Sequence, residues 1–424
     1  MAGDSVLDAV LQRILPGADL DIGPVEGLGA LGPDFAALSD DEQDRRLRAV
    51  EADRWFRALV QRAAEAHYGR RGSPAWAELG YDEGPHRSPD APITFPVPRT
   101  TPVGAVADAY DAVVIGAGAG GGMAASVLAR AGLQVLVAER GRLLPHDPDT
   151  DHAANHRLAL RGHNTGPPAP EPRVFDGRVV ERPWDGRWGN NAMTVGGGTR
   201  VYQGMAWRLH PDDFSLASSR GVPDGSSLAD WPITYEELDP HYERVEWDLG
   251  VCGDGAAHRV RGPRARDYPM PPFPLGSEGR ALAAAAARLG WSTGPVPMLI
   301  NSVPRDGRAR CVGCGHCVGF TCPSDAKNGS HNVLLPRAVD AGAVLTVDVR
   351  CEHVTADGVV TLRDLTTGAR RTVRAGHVVL AAGAVESARL LLASALGGPN
   401  VGLHLQGHVY PSVFAHFEDP VVDM

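Results

Sequence analysis

The stretch Tyr110-Asp-Ala-Val-Val-Ile-Gly-Ala-Gly-Ala-Gly-Gly-Gly-Met-Ala-Ala-Ser-Val-Leu-Ala-Arg-Ala-Gly-Leu-Gln-Val-Leu-Val-Ala-Glu-Arg-Gly141 reads as strand, glycine turn, helix, strand and terminal acid. Val113, Val114 and Ile115 make a buried strand. Gly116 permits the tight turn, Gly118 lets a backbone approach a pyrophosphate, and Gly121 lets the helix press onto the sheet. The helix expected over 123–131 turns free amides and a positive dipole end toward the phosphates. Glu139 follows Gly116 at about the ~20-residue spacing of an acid that grips a ribose hydroxyl. A glycine triplet alone is a weak signal; with the strands, helix and acid in place it points to a bound dinucleotide.

The rest of the chain sets the frame. With 424 residues there is room for roughly two to three domains. A net charge of −10 without a basic stripe argues against nucleic acid or an anionic membrane as partner. No export signal and no apolar run of membrane-spanning length is legible, so a cytoplasmic place is expected.

Apolar residues recur at helical spacing at Val6, Leu7, Val10, Leu11 and Ile14, and again at Leu47, Val50, Phe56, Leu59 and Val60. A helical domain over 1–84 follows, then a Pro-rich extended linker over 85–108. A nucleotide-binding domain is expected over 109–205 and 330–424, interrupted by a substrate or cap region over 206–329. Strands are expected at Val344 to Val349, Gly358 to Leu362 and Thr372 to Leu380, and helices at Glu278 to Leu289 and Glu386 to Ala395. Trp207, Trp231 and Trp247 are read as core residues rather than cofactor contacts.

Two further segments carry chemistry. Asn191-Ala-Met-Thr-Val-Gly-Gly-Gly-Thr-Arg-Val-Tyr-Gln-Gly204 has three glycines in a row, which let a backbone lie against a planar ligand. His377-Val-Val-Leu-Ala-Ala-Gly-Ala-Val-Glu-Ser-Ala-Arg389 is a buried strand that ends at Ala381-Ala382-Gly383 and feeds a helix.

With these segments in order, the chain from about Tyr110 onward resembles the glucose-methanol-choline (GMC) oxidoreductases, FAD-dependent enzymes that oxidise alcohols and sugars. Asp230-Trp-Pro-Ile-Thr-Tyr-Glu-Glu-Leu-Asp239 and Asn400-Val-Gly-Leu-His404 are similar to further segments of that family. Residues 1–84, with His67-Tyr-Gly69 and Trp76-Ala-Glu-Leu-Gly-Tyr81, resemble the small subunit of gluconate 2-dehydrogenases. The resemblance implies an α/β fold, α+β overall: a Rossmann-like FAD domain with an inserted substrate domain and an N-terminal helical domain. It implies that Gly116, Gly118 and Gly121 hold the FAD pyrophosphate, Glu139 the adenosine ribose, and Gly197, Gly198 and Thr199 the flavin side. Ala382 and Gly383 border the same cofactor, and Cys351 stands where a Val commonly passes the adenine. Val201 falls where some relatives carry a flavin-linked His, so non-covalent FAD is expected.

Cys311-Val-Gly-Cys314-Gly-His-Cys317-Val-Gly-Phe-Thr-Cys322-Pro323 runs C-x2-C-x2-C-x4-C-P, near the ferredoxin spacing. Thiolates so spaced can converge on one soft metal, and three readings stand open: an iron–sulfur cluster, a zinc knuckle, or thiols without metal. Sugar dehydrogenases of the superfamily carry a similar segment followed by Ala-Lys, as in Ala326-Lys327.

Catalytic residues are not assigned. His316, His331, His404, His408 and His416 lie in or near matched segments, but a lone His is more often a packing or polar-network residue. The resemblance places the catalytic His, with a His or Asn partner, in a further C-terminal region, and no segment resembling it is read before Met424. A second polypeptide, a reduced flavoprotein of binding or electron-transfer role, or a fragment of a longer enzyme each accounts for that. The expected function is oxidation of a CH–OH group in a sugar, glycoside or related alcohol, with hydride passing to the flavin and then to oxygen or another acceptor. The alternative is a non-catalytic flavoprotein or assembly subunit; a nicotinamide enzyme fits the glycine segment at 196–198 less well.

Overall fold

The computed structural model describes residues 2–16, 25, 27–68, 96–143, 173–175, 178–180, 192–257, 262–314, 317, 321–322 and 324–407. The chain divides into two compact units, Met1–Gly84 with Asp149–His156, and Pro85–Pro148 with Arg157–Met424.

The first unit is helical. Helices α1 (Ala2–Ile14), α2 (Asp40–Val50) and α3 (Arg54–Tyr68) close on Val6, Val10, Leu11, Phe35, Leu47 and Leu59. Most residues picked by helical spacing are in that core, whereas Val60 is exposed. Asp40, Asp41 and Glu42 occupy the first turn of α2, where the helix dipole favours negative charge. Gln43 is buried, and its amide donates to the carbonyls of Phe35 and Leu38 at 3.1 and 3.3 Å.

The second unit is built on a six-stranded sheet ordered β5-β2-β1-β8-β7-β6. Its strands are β1 (Ala109–Ile115), β2 (Val135–Ala138), β5 (Val344–Thr346), β6 (Val349–Val354), β7 (Val359–Asp364) and β8 (Arg370–Leu380). Strands β3 (Arg173–Phe175) and β4 (Arg178–Val180) pair antiparallel in a separate two-stranded sheet. Strands β5, β2, β1 and β8 run parallel, and β8, β7 and β6 form an antiparallel meander. Helix α4 (Ala119–Arg130) connects β1 to β2.

Both faces of β1 are buried, as parallel strands require. Ala112 and Val114 pack with Ala125 and Ala129 of α4 and with Leu335 and Val339 of α8 (Leu335–Asp340). Val113 and Ile115 face the other way, toward Val349 and Leu362 of the meander and Leu390 of α9 (Gly383–Ala393). The chain turns to opposite neighbours at β1, with β2 on one side and β8 on the other. Such a switch point opens a crevice at the carboxyl ends of the strands.

Between sheet segments lie α5 (Leu216–Arg220), α6 (Tyr235–Leu249) and α7 (Ser277–Arg288). Thr234 and Glu237 cap α6 reciprocally, at 3.2 and 2.8 Å. Behind it, Arg208 forks onto both oxygens of Glu246 at 2.8 Å and donates to Tyr235 at 3.1 Å, while Arg264 pairs with the same carboxylate.

Three expectations are corrected. The C-terminal part of the linker expected over 85–108 is packed: Val103 and Val106 enter the sheet core, and the Thr101 amide donates to the Leu345 carbonyl at 2.8 Å. Prolines there set an extended path along the sheet rather than a free tether. The single strand expected at 344–349 is two strands, β5 and β6, because Asp348 takes a positive φ of 55° that no strand accommodates. Trp207 and Trp231 are 37% and 52% exposed rather than core residues. The ring of Trp231 leans on Phe214, 5.7 Å between centroids, and Trp247 is half-buried with its indole N–H on the Asp267 carbonyl.

Candidate functional site

The crevice is lined by two turns that leave the sheet side by side. Gly116 follows the last residue of β1 and has φ 100°, a region closed to most L-residues. A Cβ on it would stand 2.5 Å from the carbonyl oxygen of Ala381, in the turn that follows β8. Gly121, in the first turn of α4, is equally constrained, since a Cβ there would come within 1.9 Å of the Gly116 carbonyl. Ala382 caps α9 and Gly383 opens it at φ 82°. The fold thus gathers Gly116, Gly121, Ala382 and Gly383 at one place.

Gly118 differs. Its φ of −71° suits any residue, and among the described residues a Cβ on it would meet no atom within 4 Å. Neither backbone conformation nor protein packing requires glycine there. The first helical hydrogen bond of α4 runs from Gly122 N to Gly118 O, so the amides just after Gly118 are unpaired within the helix and directed toward its N-terminal end.

The second glycine segment meets the first. A Cβ on Gly197 would lie 3.1 Å from the Cα of Gly118, and Gly198 is as open as Gly118. Gly197–Arg200 form a short 3-10 turn. Thr199 fixes it, donating to the Gly196 carbonyl at 2.6 Å while its Oγ1 accepts from the Ser330 amide at 3.0 Å. Ser330 in turn donates to the Ala117 carbonyl at 2.9 Å, and its hydroxyl lies where a Cβ on Gly122 would be. Ser330 is the piece the sequence reading missed: it ties both glycine turns to the irregular turn Ser330–Leu334, and no spacing rule marks it.

Glu139 is 7% exposed at the end of β2. Its Oε2 accepts from Ala117 N and its Oε1 from Gly141 N, each at 2.7 Å. Burial lifts its carboxyl from 4.5 to about 6, against the opposite pull of those amides and of Arg140. The acid therefore braces the glycine turn from below, and each oxygen keeps a further lone pair for a hydroxyl. Cys351 lies on β6, two residues beyond Val349, whose amide donates to the Glu139 carbonyl at 3.0 Å. Its thiol is buried in the sheet core and pushed up to about 12 by that burial.

Behind the glycine turns lies a polar interior. Asn328 is fully buried and donates to the carbonyls of Leu249 and Gly250, while Asn332 joins Asp325 to the Lys327 carbonyl. A cavity of about 30 Å³ lies there, bounded by Pro96, Arg200, Cys322, Asp325 and His331. That volume suits ordered water. His331 packs its ring against Gly196, His404 stands 3.0 Å from Ser227, and His316, His408 and His416 lie outside the described residues.

The four clustered cysteines do not assemble as their spacing suggests. All six cysteines of the chain are free thiols, and among the described residues no three His, Cys, Asp or Glu stand where they could share a metal ion. Cys311 receives the Gly313 amide at 3.3 Å and is pushed up to about 11 by burial, and Cys322 contacts Ser324 at 3.5 Å. Lys327 is buried beside this loop, and its ammonium donates to the Cys317 carbonyl at 2.8 Å; burial lowers its pKa to about 8. Among the described residues, Cys311, Cys314, Cys317 and Cys322 thus form no group of three metal donors.

A family model described as GMC oxidoreductase matches residues 119–410, which takes in α4, the turn Gly197–Arg200, helices α5 to α7 and the meander. The chain belongs to the GMC oxidoreductase family. Within it, the chain is 36% identical over 296 residues to 6'''-hydroxyparomomycin C oxidase of Streptomyces lividus, covering 67% of this chain and 50% of that protein. It is 30% identical over 307 residues to the fructose dehydrogenase large subunit of Gluconobacter japonicus, covering 67% and 54%. An uncharacterised GMC-type oxidoreductase of Mycobacterium tuberculosis is 33% identical over 408 residues, covering 93% of this chain and 53% of its own length. That match reaches into the N-terminal helical unit. The chain spans about half the length of the curated relatives it matches.

Proposed function

We propose that this GMC chain holds FAD in the crevice and serves the oxidation of a CH–OH group in a sugar, glycoside or related alcohol. The observation that carries the reading is Gly118, a glycine that neither its φ nor any described neighbour requires, at the N-terminus of α4 and near Gly197. Close approach of a pyrophosphate accounts for it. In this reading the amides after Gly118 hold the pyrophosphate, Glu139 takes the ribose, and Gly197, Gly198 and Thr199 hold the flavin side. Bound FAD would supply a hydride acceptor. The chain's own residues fix its place: Ser330 and Thr199 lock the two glycine turns together, and Glu139 keeps the Ala117 amide in register. Val201 offers no nucleophile for a covalent flavin link, which supports non-covalent FAD; yellow colour retained by the acid-precipitated chain would refute it.

The substrate class rests on the relatives, which include 6'''-hydroxyparomomycin C oxidase and a fructose dehydrogenase large subunit. Anaerobic bleaching of the flavin by aminoglycosides, fructose and simple alcohols tests it, with oxygen and artificial acceptors then compared for reoxidation. A preparation loaded with FAD that none of them bleaches favours the second reading, a binding or electron-transfer subunit.

The first reading, with a further segment of polypeptide, has one structural support. Strand β8 pairs with β7 only over 370–374, and beyond Ala375 the same edge borders a groove of about 580 Å³ lined by Gly358, Val378, Leu380, Leu390 and Leu396. An open strand edge above an apolar floor suits a further strand of polypeptide. We read it as the seat of the remaining part of a whole enzyme, on the same or a second polypeptide, which would also supply the catalytic His pair. The mass of the purified assembly tests a second chain. The N-terminal helical unit is assigned, on resemblance alone, to the small gluconate dehydrogenase subunit type.

No helix among the described residues is long and apolar enough to cross a membrane. Six free thiols support a cytoplasmic place, where cysteines stay reduced. An iron–sulfur cluster at Cys311, Cys314, Cys317 and Cys322 gains nothing from their arrangement; iron near stoichiometry in an anaerobic preparation would restore it.

A further inference from the structure

Lys327 is 1% exposed, among the most deeply buried long side chains of the protein. A buried ammonium is costly unless its donors are met. Its Nζ donates at 2.8 Å to the carbonyl of Tyr202 and at 2.8 Å to the carbonyl of Cys317, and it stands 5.7 Å from the centroid of the Tyr202 ring. These two carbonyls belong to different loops. Tyr202 is the residue that closes the flavin-side turn, since its amide and that of Val201 both donate to Gly198 O, at 3.0 and 3.1 Å. Cys317 is the third cysteine of the clustered loop. The Tyr202 hydroxyl adds a second anchor, donating to the Asn328 carbonyl at 2.7 Å, one residue from Lys327.

We propose that Lys327 is a positioning residue that couples the cysteine loop to the glycine turn Gly197–Arg200, so that covalent change at the thiols of that loop is felt by the flavin. The proposal rests on the FAD reading above for its cofactor and on the Lys327 contacts for its path. The path is short: Cys317 carbonyl, Lys327 ammonium, Tyr202 carbonyl, then the Gly198 carbonyl that both Val201 and Tyr202 hold. Gly198 is one residue from Gly197, on which a Cβ would come within 3.1 Å of the Gly118 Cα across the cradle. Alkylating a sulfur of the loop adds bulk beside partly buried thiols, displaces the Cys317 carbonyl and releases its contact with the ammonium.

The test uses the full chain loaded with FAD. Iodoacetamide is applied anaerobically, each cysteine is followed by peptide mass spectrometry, and the FAD dissociation constant and visible circular dichroism of the flavin are read in parallel. In the wild-type protein, alkylation at Cys317 or Cys322 should weaken FAD by about tenfold, the scale of one lost charge-assisted hydrogen bond. Lys327→Met, which keeps the chain length and loses the ammonium, should start with that weakened affinity and altered dichroism and lose nothing more on alkylation. Lys327→Arg, which restores a cationic donor, should recover part of both.

A Lys327→Met protein with wild-type FAD affinity and dichroism overturns the coupling. So does one that responds to alkylation as fully as wild type. If Lys327→Met does not fold, the wild-type labelling rates decide: bound FAD should slow alkylation at Cys317 and Cys322 relative to the buried Cys252, and equal ratios with and without FAD overturn the proposal. A folded wild-type chain that takes up no FAD refutes the cofactor reading instead. The tie is then judged by whether Lys327→Met speeds labelling at Cys317 relative to Cys252; an unchanged ratio overturns it.

Discussion

The carbonyl oxygen of Ala381 occupies the position that a side chain on Gly116 would need, 2.5 Å from where its Cβ would stand. The first and last parallel strands of the central sheet therefore end in turns that fit only if residue 116 has no side chain. Gly116→Ala should destabilise the protein by about 3 kcal/mol, from a positive φ and a backbone clash together. Urea unfolding of the variant without added flavin checks this, and a loss under about 1 kcal/mol would mean the two turns can separate freely.

Glu139 gives the fold a pH dependence of defined sign. Its folded carboxyl titrates near 6 against 4.5 when unfolded, so between those values the native state holds a proton that the unfolded state has lost. The contribution of this group to stability therefore falls as pH rises from about 4.5 to about 6, by about 2 kcal/mol, and stays low above that. Glu139→Gln should remove this fall from the stability profile. It should also cost about 1–3 kcal/mol above pH 6, because one amide oxygen cannot serve both Ala117 and Gly141. Denaturation midpoints of the two proteins at matched pH values between 4 and 7 measure both effects.

The cap region is held by a buried ion network. Glu246 pairs with both Arg208 and Arg264, all three buried or nearly so, and Arg208 also pairs with Asp239. Glu246→Gln leaves Arg264 without its carboxylate and Arg208 with Asp239 only, and should cost about 3 kcal/mol. The loss should appear as early protease cleavage between residues 206 and 270 while the sheet core of the same unit stays resistant. Uniform cleavage across that unit would argue that cap and sheet unfold together.

What the sequence made legible follows from how local each signal is. The strand, turn and helix at 110–141 were readable because period, glycine spacing and terminal acid are all written within one segment. The start of α6 was marked by the reciprocal cap of Thr234 and Glu237, again a local device. Ser330 and Lys327 were not legible in their roles, because each acts on partners more than 100 residues away, Ala117 and Tyr202. The break at Asp348 was hidden because Val344 to Val349 keeps an apolar strand pattern through a residue whose φ is positive. The cysteine run misled in the opposite way. Its spacing is that of a metal loop, but among the described residues its thiols do not come together, and a lysine ten residues after Cys317 folds back onto the Cys317 carbonyl.

The central claim, that the crevice at Gly116 to Gly121 holds FAD, is tested most directly by titrating FAD into the wild-type chain and Gly118→Ala and following the quenching of flavin fluorescence. The added methyl meets no described protein atom within 4 Å and sits at an ordinary φ, so thermal stability without flavin should shift by no more than about 1 kcal/mol. FAD affinity, by contrast, should fall by at least about tenfold, because the methyl stands where the pyrophosphate approaches the backbone. A Gly118→Ala protein that binds FAD as tightly as wild type would contradict the account.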